Sequence, residues 1–246
     1  MSCWQVINLG QRVLRRIGVG VVGVLALFQI GGAFSTALSM LVSLAVYALA
    51  FGIKFAVGFV ILLLVHEWGH IAASRIVGLR TSGPTFIPFI GAVISLNRPP
   101  VNAKMTANIA IGGPAAGTLS ALVCLAFYLW SNSMLMLVLA YTACLLNIFN
   151  LIPCAPLDGA RIAAAISPRL WWIGSFVIAV VFFYTYNVLV LLIFLFSLLE
   201  LWQGEKTQEC GYYQLSARQR LTVTWWYFGL VGVLGLTTLY TLELLK

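Results

Sequence analysis

The sequence predicts an all-α polytopic membrane protein with about eight transmembrane helices and a short apolar β-hairpin that re-enters the membrane. Of its 246 residues 62% are hydrophobic and only 8% are charged, whereas roughly a quarter of the residues in a soluble domain carry a charge. The mean hydropathy is +1.02. A chain with so few charges cannot cover a water-facing surface, so the lipid bilayer is its solvent.

Apolar runs long enough to cross a bilayer recur along the whole chain. A spanning helix needs about 20 apolar residues, and the uncharged run from 17 to 53 is too long for one. Gln29, Gly31 and Gly32 offer a break in it. The predicted spans lie near residues 17–33, 35–53, 55–78, 106–130 and 133–153, in two helices within 170–202 that turn near 184–187, and near 221–243. A more polar helix is expected over 157–167.

The stretch 81–97 differs from the helical spans around it. It carries no charge, yet two glycines and two prolines argue against a helix. Its apolar residues are mostly β-formers such as Phe86, Ile87 and Val93. We therefore expect a hairpin that dips into the membrane between Arg80 and Arg98, where it must lie against protein or water.

The net charge of +8 indicates membrane topology rather than a nucleic-acid partner. The 14 lysines and arginines are scattered between apolar segments and form no basic stripe. The positive-inside rule places the C-terminal end of the 55–78 span in the cytoplasm, together with the basic residues Arg75, Arg80, Arg98, Lys104, Arg161, Arg169, Lys206, Arg218 and Arg220. Arg12, Arg15 and Arg16 fit this orientation only if 17–53 crosses once.

The chain contains only two histidines, and both belong to the sequence HEWGH at positions 66–70. On a helix, His66 and His70 share one face, so the two imidazoles can bind one zinc ion. Glu67 lies beside this ligand pair and can act as the general base towards a metal-bound water. Structural histidines are the alternative, but three ionisable groups within an apolar run are costly unless they are functional.

A catalytic zinc usually has three protein ligands, so a further acid is expected. Glu205, Glu209 and Glu243 lie in polar or terminal segments and Glu200 at the end of a span. Asp158 is the favoured ligand because Pro153 and Pro156 interrupt the helix before it, and Gly159 after it permits a close backbone approach. Alternatively, Asp158 is only the N-cap of the next helix.

Together, these residues resemble the site-2 protease family of intramembrane metalloproteases (peptidase family M50). HEWGH matches its HExxH motif, and the segment from Asn150 to Gly159 matches its N-x-x-P-x-x-x-x-D-G pattern. The resemblance implies that His66, His70 and Asp158 bind Zn²⁺, that Glu67 is the catalytic acid/base and that Asn150 lies near the substrate backbone. Where family members often carry an Asn after a Gly-Pro segment, this chain has Gly117.

The resemblance covers roughly residues 55–167 and implies a function, whereas the outer spans are predicted from their apolar runs alone. We expect N-terminal membrane segments over 1–54, a catalytic core of three spans over 55–167 and C-terminal transmembrane helices over 168–246. The expected activity is zinc-dependent cleavage of transmembrane segments, within regulated intramembrane proteolysis. Its substrates would be membrane-anchored proteins such as anti-sigma factors or leftover signal peptides. We expect the bacterial inner membrane, with the active site nearer the cytoplasmic side.

Three other functions stay open on the sequence alone. A metal-ion transporter could use the HEWGH helix, although transport would favour further histidines or aspartates on facing helices. A membrane protease similar to the CAAX-processing class would take a glutamate as its third ligand, for which Glu200 is the candidate. A third alternative is a catalytically dead scaffold that keeps the fold, but the intact His66, Glu67, His70 and Asp158 argue against it. The oligomeric state is also left open.

Overall fold

A computed structural model describes residues 32–81, 85–87, 91–93, 96–204 and 212–246. The predicted span near 17–33 lies almost wholly outside these residues, as do Arg12, Arg15 and Arg16. The described backbone forms eight helices and two short strands. In chain order they are α1 (Gly32–Phe51), α2 (Ile53–Ile76), β1 (Thr85–Ile87), β2 (Gly91–Val93), α3 (Ala103–Ser131), α4 (Met134–Asn150), α5 (Asp158–Ile166), α6 (Leu170–Thr185), α7 (Val188–Gly204) and α8 (Ala217–Leu244).

Three of the described helices, α2, α3 and α8, are long and apolar enough to cross a membrane. The outer surface agrees with this, since Leu49 and Trp130 are 90% and 82% exposed. The apolar helices α1, α4, α6 and α7 are shorter. The 17 residues of α4, for example, rise only about 25 Å against a hydrocarbon core of about 30 Å. The chain is therefore a membrane protein, and eight membrane crossings stay a prediction.

Two connections show how the chain ends one helix and starts the next. Gly52 separates α1 from α2 with φ at 85°, a left-handed conformation that glycine adopts without steric cost. The sequence predicted a break between the spans 35–53 and 55–78, at Lys54, and the structure places this break two residues earlier, at Gly52. Tyr186 ends α6 with φ at 49° and donates its backbone N–H to Phe182, which confirms the turn predicted near 184–187.

The two short strands lie between α2 and α3. β1 and β2 pair antiparallel, with Phe86 opposite Ala92, and a bridge joins Thr81 to Leu96. These pairs fall within the stretch for which extended structure was expected. Its insertion into the membrane stays a prediction, because helices and strands alone do not define the depth of a lipid bilayer.

Glycines bring the backbones of α2 and α3 into direct contact. A methyl group on Gly69 would lie 2.1 Å from the carbonyl oxygen of Gly112, and one on Gly112 would lie 2.4 Å from the oxygen of Gly69. Small residues permit this approach between membrane helices. α3 also packs against α4, α5 and α8, so it is the central helix on which the others assemble.

We expect Gly112→Val to destabilise the protein. The added side chain would meet the backbone of α2, which cannot move aside as a flexible side chain can, and overpacking of this kind costs about 1–3 kcal/mol. The thermal unfolding midpoint of the detergent-purified protein measures the effect. Gly232→Val on α8 is the matched control, since nothing lies within 4 Å of a methyl group there. Equal midpoints for the two variants would contradict the contact.

Candidate metal centre

Two imidazole nitrogens and one carboxylate oxygen converge between α2 and the start of α5. The Nε2 atoms of His66 and His70 lie 3.2 Å apart. Oδ2 of Asp158 lies 3.2 Å from Nε2 of His66 and 3.1 Å from Nε2 of His70. Asp158 is 92 residues away from His66 in sequence. The fold therefore joins the two motifs that the sequence analysis singled out separately.

The hydrogen bonds of the two Nδ1 atoms determine which nitrogen of each histidine carries the proton and which has a free lone pair. Nδ1 of His66 lies 2.8 Å from Oδ1 of Asn147, and Nδ1 of His70 lies 2.8 Å from the carbonyl oxygen of Ile109. Both oxygens only accept hydrogen bonds, so each Nδ1 carries the proton and donates it. The backbone nitrogen of Gly113 also lies 3.2 Å from Nδ1 of His70, but the closer carbonyl decides the tautomer. Each Nε2 therefore presents a lone pair.

This donor set fits a metal ion of the zinc type. In a tetrahedral site with bonds of 2.0–2.1 Å, ligand atoms are roughly 3.3 Å apart, close to the separations seen here. Two imidazoles and a carboxylate leave the fourth position open, as in catalytic sites. Among the described residues, these three form the group that could hold a metal.

Gly113 provides room beside both metal-facing nitrogens. A methyl group at this position would lie 2.2 Å from Nε2 of His70 and 2.7 Å from Nε2 of His66. Any larger residue would therefore collide with the two imidazoles. Gly113 belongs to the segment 112–117, which consists of small residues and one proline, so this segment borders the metal centre directly.

Asp158 does not cap α5. The N-cap is Leu157, which makes no side-chain capping bond, and Asp158 is the first helical residue. Its carboxylate faces the histidines. Position 159 requires glycine, because a methyl group there would lie only 2.2 Å from the carbonyl oxygen of Leu151. The close backbone approach that the sequence suggested at Gly159 is therefore present, and the capping alternative is wrong.

Glu67 and Trp68 face different sides of α2. Glu67 is 7% exposed and lies inside the helical assembly, next to His66 in sequence, whereas Trp68 is 59% exposed. A carboxylate buried beside the ligand pair is suitably placed for proton transfer. Its catalytic role is a prediction.

Asn150 forms a hydrogen bond within its own helix. It is the last residue of α4, is partly buried, and donates Nδ2 to the carbonyl oxygen of Leu146 at 3.1 Å. Its contact with a substrate stays a prediction. Glu200, the alternative third ligand, lies on α7, and in the described part of the chain it does not join His66 and His70 in the group that could hold a metal.

Two residues of α8 support the segment that carries Asp158, and the sequence analysis missed both of these roles. The hydroxyl of Tyr227 donates to the carbonyl oxygen of Leu151 at 2.7 Å. The guanidinium of Arg220 donates to the carbonyl oxygen of Ile166 at the end of α5. The segment is thus held on both sides of Asp158. Sequence offered no signal, because both acceptors are backbone atoms, and Arg220 was interpreted only as a topology residue.

We expect Asp158→Ala to weaken zinc binding by more than the 10–100-fold that is typical when an outer-shell partner is lost. The variant removes one of three ligands while both imidazoles remain. Chelator competition on the purified protein measures the affinity. Glu243→Ala, an exposed acid of α8 that pairs with Lys246, serves as the control. An Asp158→Ala protein with wild-type affinity would exclude Asp158 as a ligand.

We expect Tyr227→Phe to weaken zinc binding by a smaller factor. The change leaves the buried carbonyl of Leu151 without this donor, a loss of about 1–3 kcal/mol, and it loosens the segment that presents Asp158. Tyr240→Phe, on the exposed side of the same helix, controls for loss of a hydroxyl. If both variants bind zinc equally well, α8 does not help to position the ligand.

Comparison with known families agrees with the site. The model of peptidase family M50 matches residues 54–134, about one third of the chain. No curated protein matches the chain. The matched part contains α2 with both histidines, and also α3, and ends before Asn150 and Asp158. The structure brings Asp158 to the histidines independently of this match. This match over residues 54–134 confirms the resemblance to peptidase family M50, the site-2 protease family, that was seen in the sequence.

Proposed function

We propose that this chain is a zinc-dependent intramembrane endopeptidase that cleaves transmembrane segments of membrane-anchored proteins. The observation that carries the proposal is the convergence of His66, His70 and Asp158 within 3.1–3.2 Å. This convergence involves a helix that is long and apolar enough to cross a membrane and that lies in the segment matched to a peptidase family.

The residues of the site divide the chemistry between them. His66, His70 and Asp158 would hold the zinc, which would polarise the peptide carbonyl and make a water molecule acidic enough to react at neutral pH. Glu67 accepts the proton of the attacking water as its oxygen bonds to the carbonyl carbon. Glu67 then gives a proton to the amide nitrogen as the C–N bond breaks, which leaves a carboxylate and an amine.

The substrate must expose a peptide bond before this chemistry can begin. Within a membrane helix the carbonyl groups are hydrogen-bonded internally, so the helix has to unwind locally. The strand edges of β1 and β2 and the amide of Asn150 are suited to replace the lost bonds. We propose anti-sigma factors or leftover signal peptides as substrates, cleaved as a step of regulated intramembrane proteolysis.

We propose an enzyme of the bacterial inner membrane that cuts near the cytoplasmic side, and the basic residues beside the site support the cytoplasmic side. His70 lies in the second half of α2, five residues before Arg75 in the last turn of that helix. Arg80 follows a few residues later. Because basic residues accumulate on the cytoplasmic side, this end of α2 and the metal centre near it would lie close to the cytoplasm.

We expect Glu67→Gln to abolish cleavage of a model transmembrane substrate while zinc binding persists. The amide cannot accept the proton of water, but the three ligands are unchanged. Cleavage in detergent or proteoliposomes and the metal content of the same sample give the two readouts. Glu243→Gln, an exposed Glu on α8, is the matched control and should cleave like the wild type.

The same samples test the proposal as a whole. Wild-type protein should cleave the substrate, lose activity with a chelator and regain it with zinc. An active Glu67→Gln enzyme would refute the assigned base. Zinc flux across wild-type proteoliposomes without any cleavage would instead support the transporter alternative and overturn the protease.

A further inference from the structure

Asn147 is a fully buried amide on the inner side of α4. Its exposed fraction is 0%, although the helix around it is almost entirely apolar. Oδ1 lies 2.8 Å from Nδ1 of His66. Nδ2 donates to the carbonyl oxygen of Ala143 at 2.7 Å. Both ends of the amide are therefore engaged, one with the metal centre and one with its own helix.

The bond to Ala143 fixes which end of the amide faces the imidazole. In the reversed orientation the amide oxygen would face the carbonyl oxygen of Ala143, and two acceptors would meet without a proton between them. Oδ1 must therefore face His66. Because Oδ1 only accepts, Nδ1 of His66 keeps its proton, and Nε2 keeps its lone pair towards Asp158 and His70.

Gly117 on α3 makes room for this amide. A methyl group at 117 would lie 2.0 Å from Oδ1, 2.3 Å from Nδ2 and 2.4 Å from Cγ of Asn147. No side chain fits at 117 unless the amide moves away from His66. This explains why glycine stands at the position where the resemblance to the site-2 protease family led us to expect asparagine.

We propose that Asn147 is a positioning residue that fixes the tautomer and the ring orientation of His66, and that Gly117 is required so that its amide can reach the ring. The inference rests on the proposed function, since it assigns a role towards the metal that His66 would bind. Outer-shell partners of this kind set the basicity of a ligand, and their loss costs about 10–100-fold in metal affinity.

Zinc affinity of the purified full chain, measured by chelator competition, tests the inference without relying on protease activity. We expect Asn147→Leu, which keeps the approximate size but removes the acceptor, to bind zinc about 10–100-fold more weakly. Asn147→Asp keeps an acceptor at the same place and should stay within a few-fold of the wild type. The visible spectrum of the cobalt-loaded protein should change with Asn147→Leu, because the geometry at His66 changes.

Gly117→Ala should reproduce the loss, because the new methyl group displaces the amide. In the double variant Gly117→Ala/Asn147→Leu, the loss should not exceed that of Asn147→Leu alone, since the group that the methyl displaces is already gone. Gly232→Ala, with open space around the added methyl group, is the matched control and should bind zinc like the wild type.

Two results would overturn the inference. One is wild-type zinc affinity in both Asn147→Leu and Gly117→Ala, and the other is a full addition of their losses in the double variant. If Asn147→Leu does not fold, Gly117→Ala decides alone: a loss of zinc affinity of about 10–100-fold supports the inference, and wild-type affinity overturns it. A wild-type protein that binds no zinc would overturn the proposed function together with this inference, whereas wild-type binding with unchanged variants overturns the inference alone.

Discussion

Three lone-pair-bearing atoms held within 3.2 Å of one another, inside apolar helices, are the constraint on which this structure depends. Their mutual repulsion is strong in a medium of low dielectric constant, and a cation between them converts it into attraction. The surrounding residues hold the three atoms close together. Asn147 and Ile109 accept the ring protons, and Gly113 leaves room beside the nitrogens.

The metal centre is supported by contacts in its own helices and by further contacts with more distant helices. The contact between Gly69 and Gly112 joins α2 to α3, so the helix that carries the histidines is packed directly against α3. The segment 151–157 brings Asp158 to the two histidines. Tyr227 and Arg220 of α8 then hold this segment at Leu151 and Ile166. Contacts thus run from the metal centre across the boundary predicted at 168, into helices outside the part matched to peptidase family M50.

Sequence predicted what depends on local spacing. The i, i+4 pair His66 and His70 shares a helix face by geometry alone, and the prolines and Gly159 marked the non-helical approach to Asp158. Contacts between distant residues could not be predicted, because nothing in the sequence aligns Asn147 with His66 or Tyr227 with a backbone carbonyl. The number of membrane crossings was not predictable either, since helices such as α4 lie near the length at which an apolar segment can span.

The hydrogen bonds from α8 to the segment around Asp158 have a consequence for biosynthesis. Ribosomes make α2, α3 and α5 before α8, so during translation the two histidines enter the lipid while the aspartate segment still lacks its last supports. Full metal affinity would then arise only after α8 has inserted. A nascent chain would therefore hold its metal less firmly until its own synthesis had passed that helix.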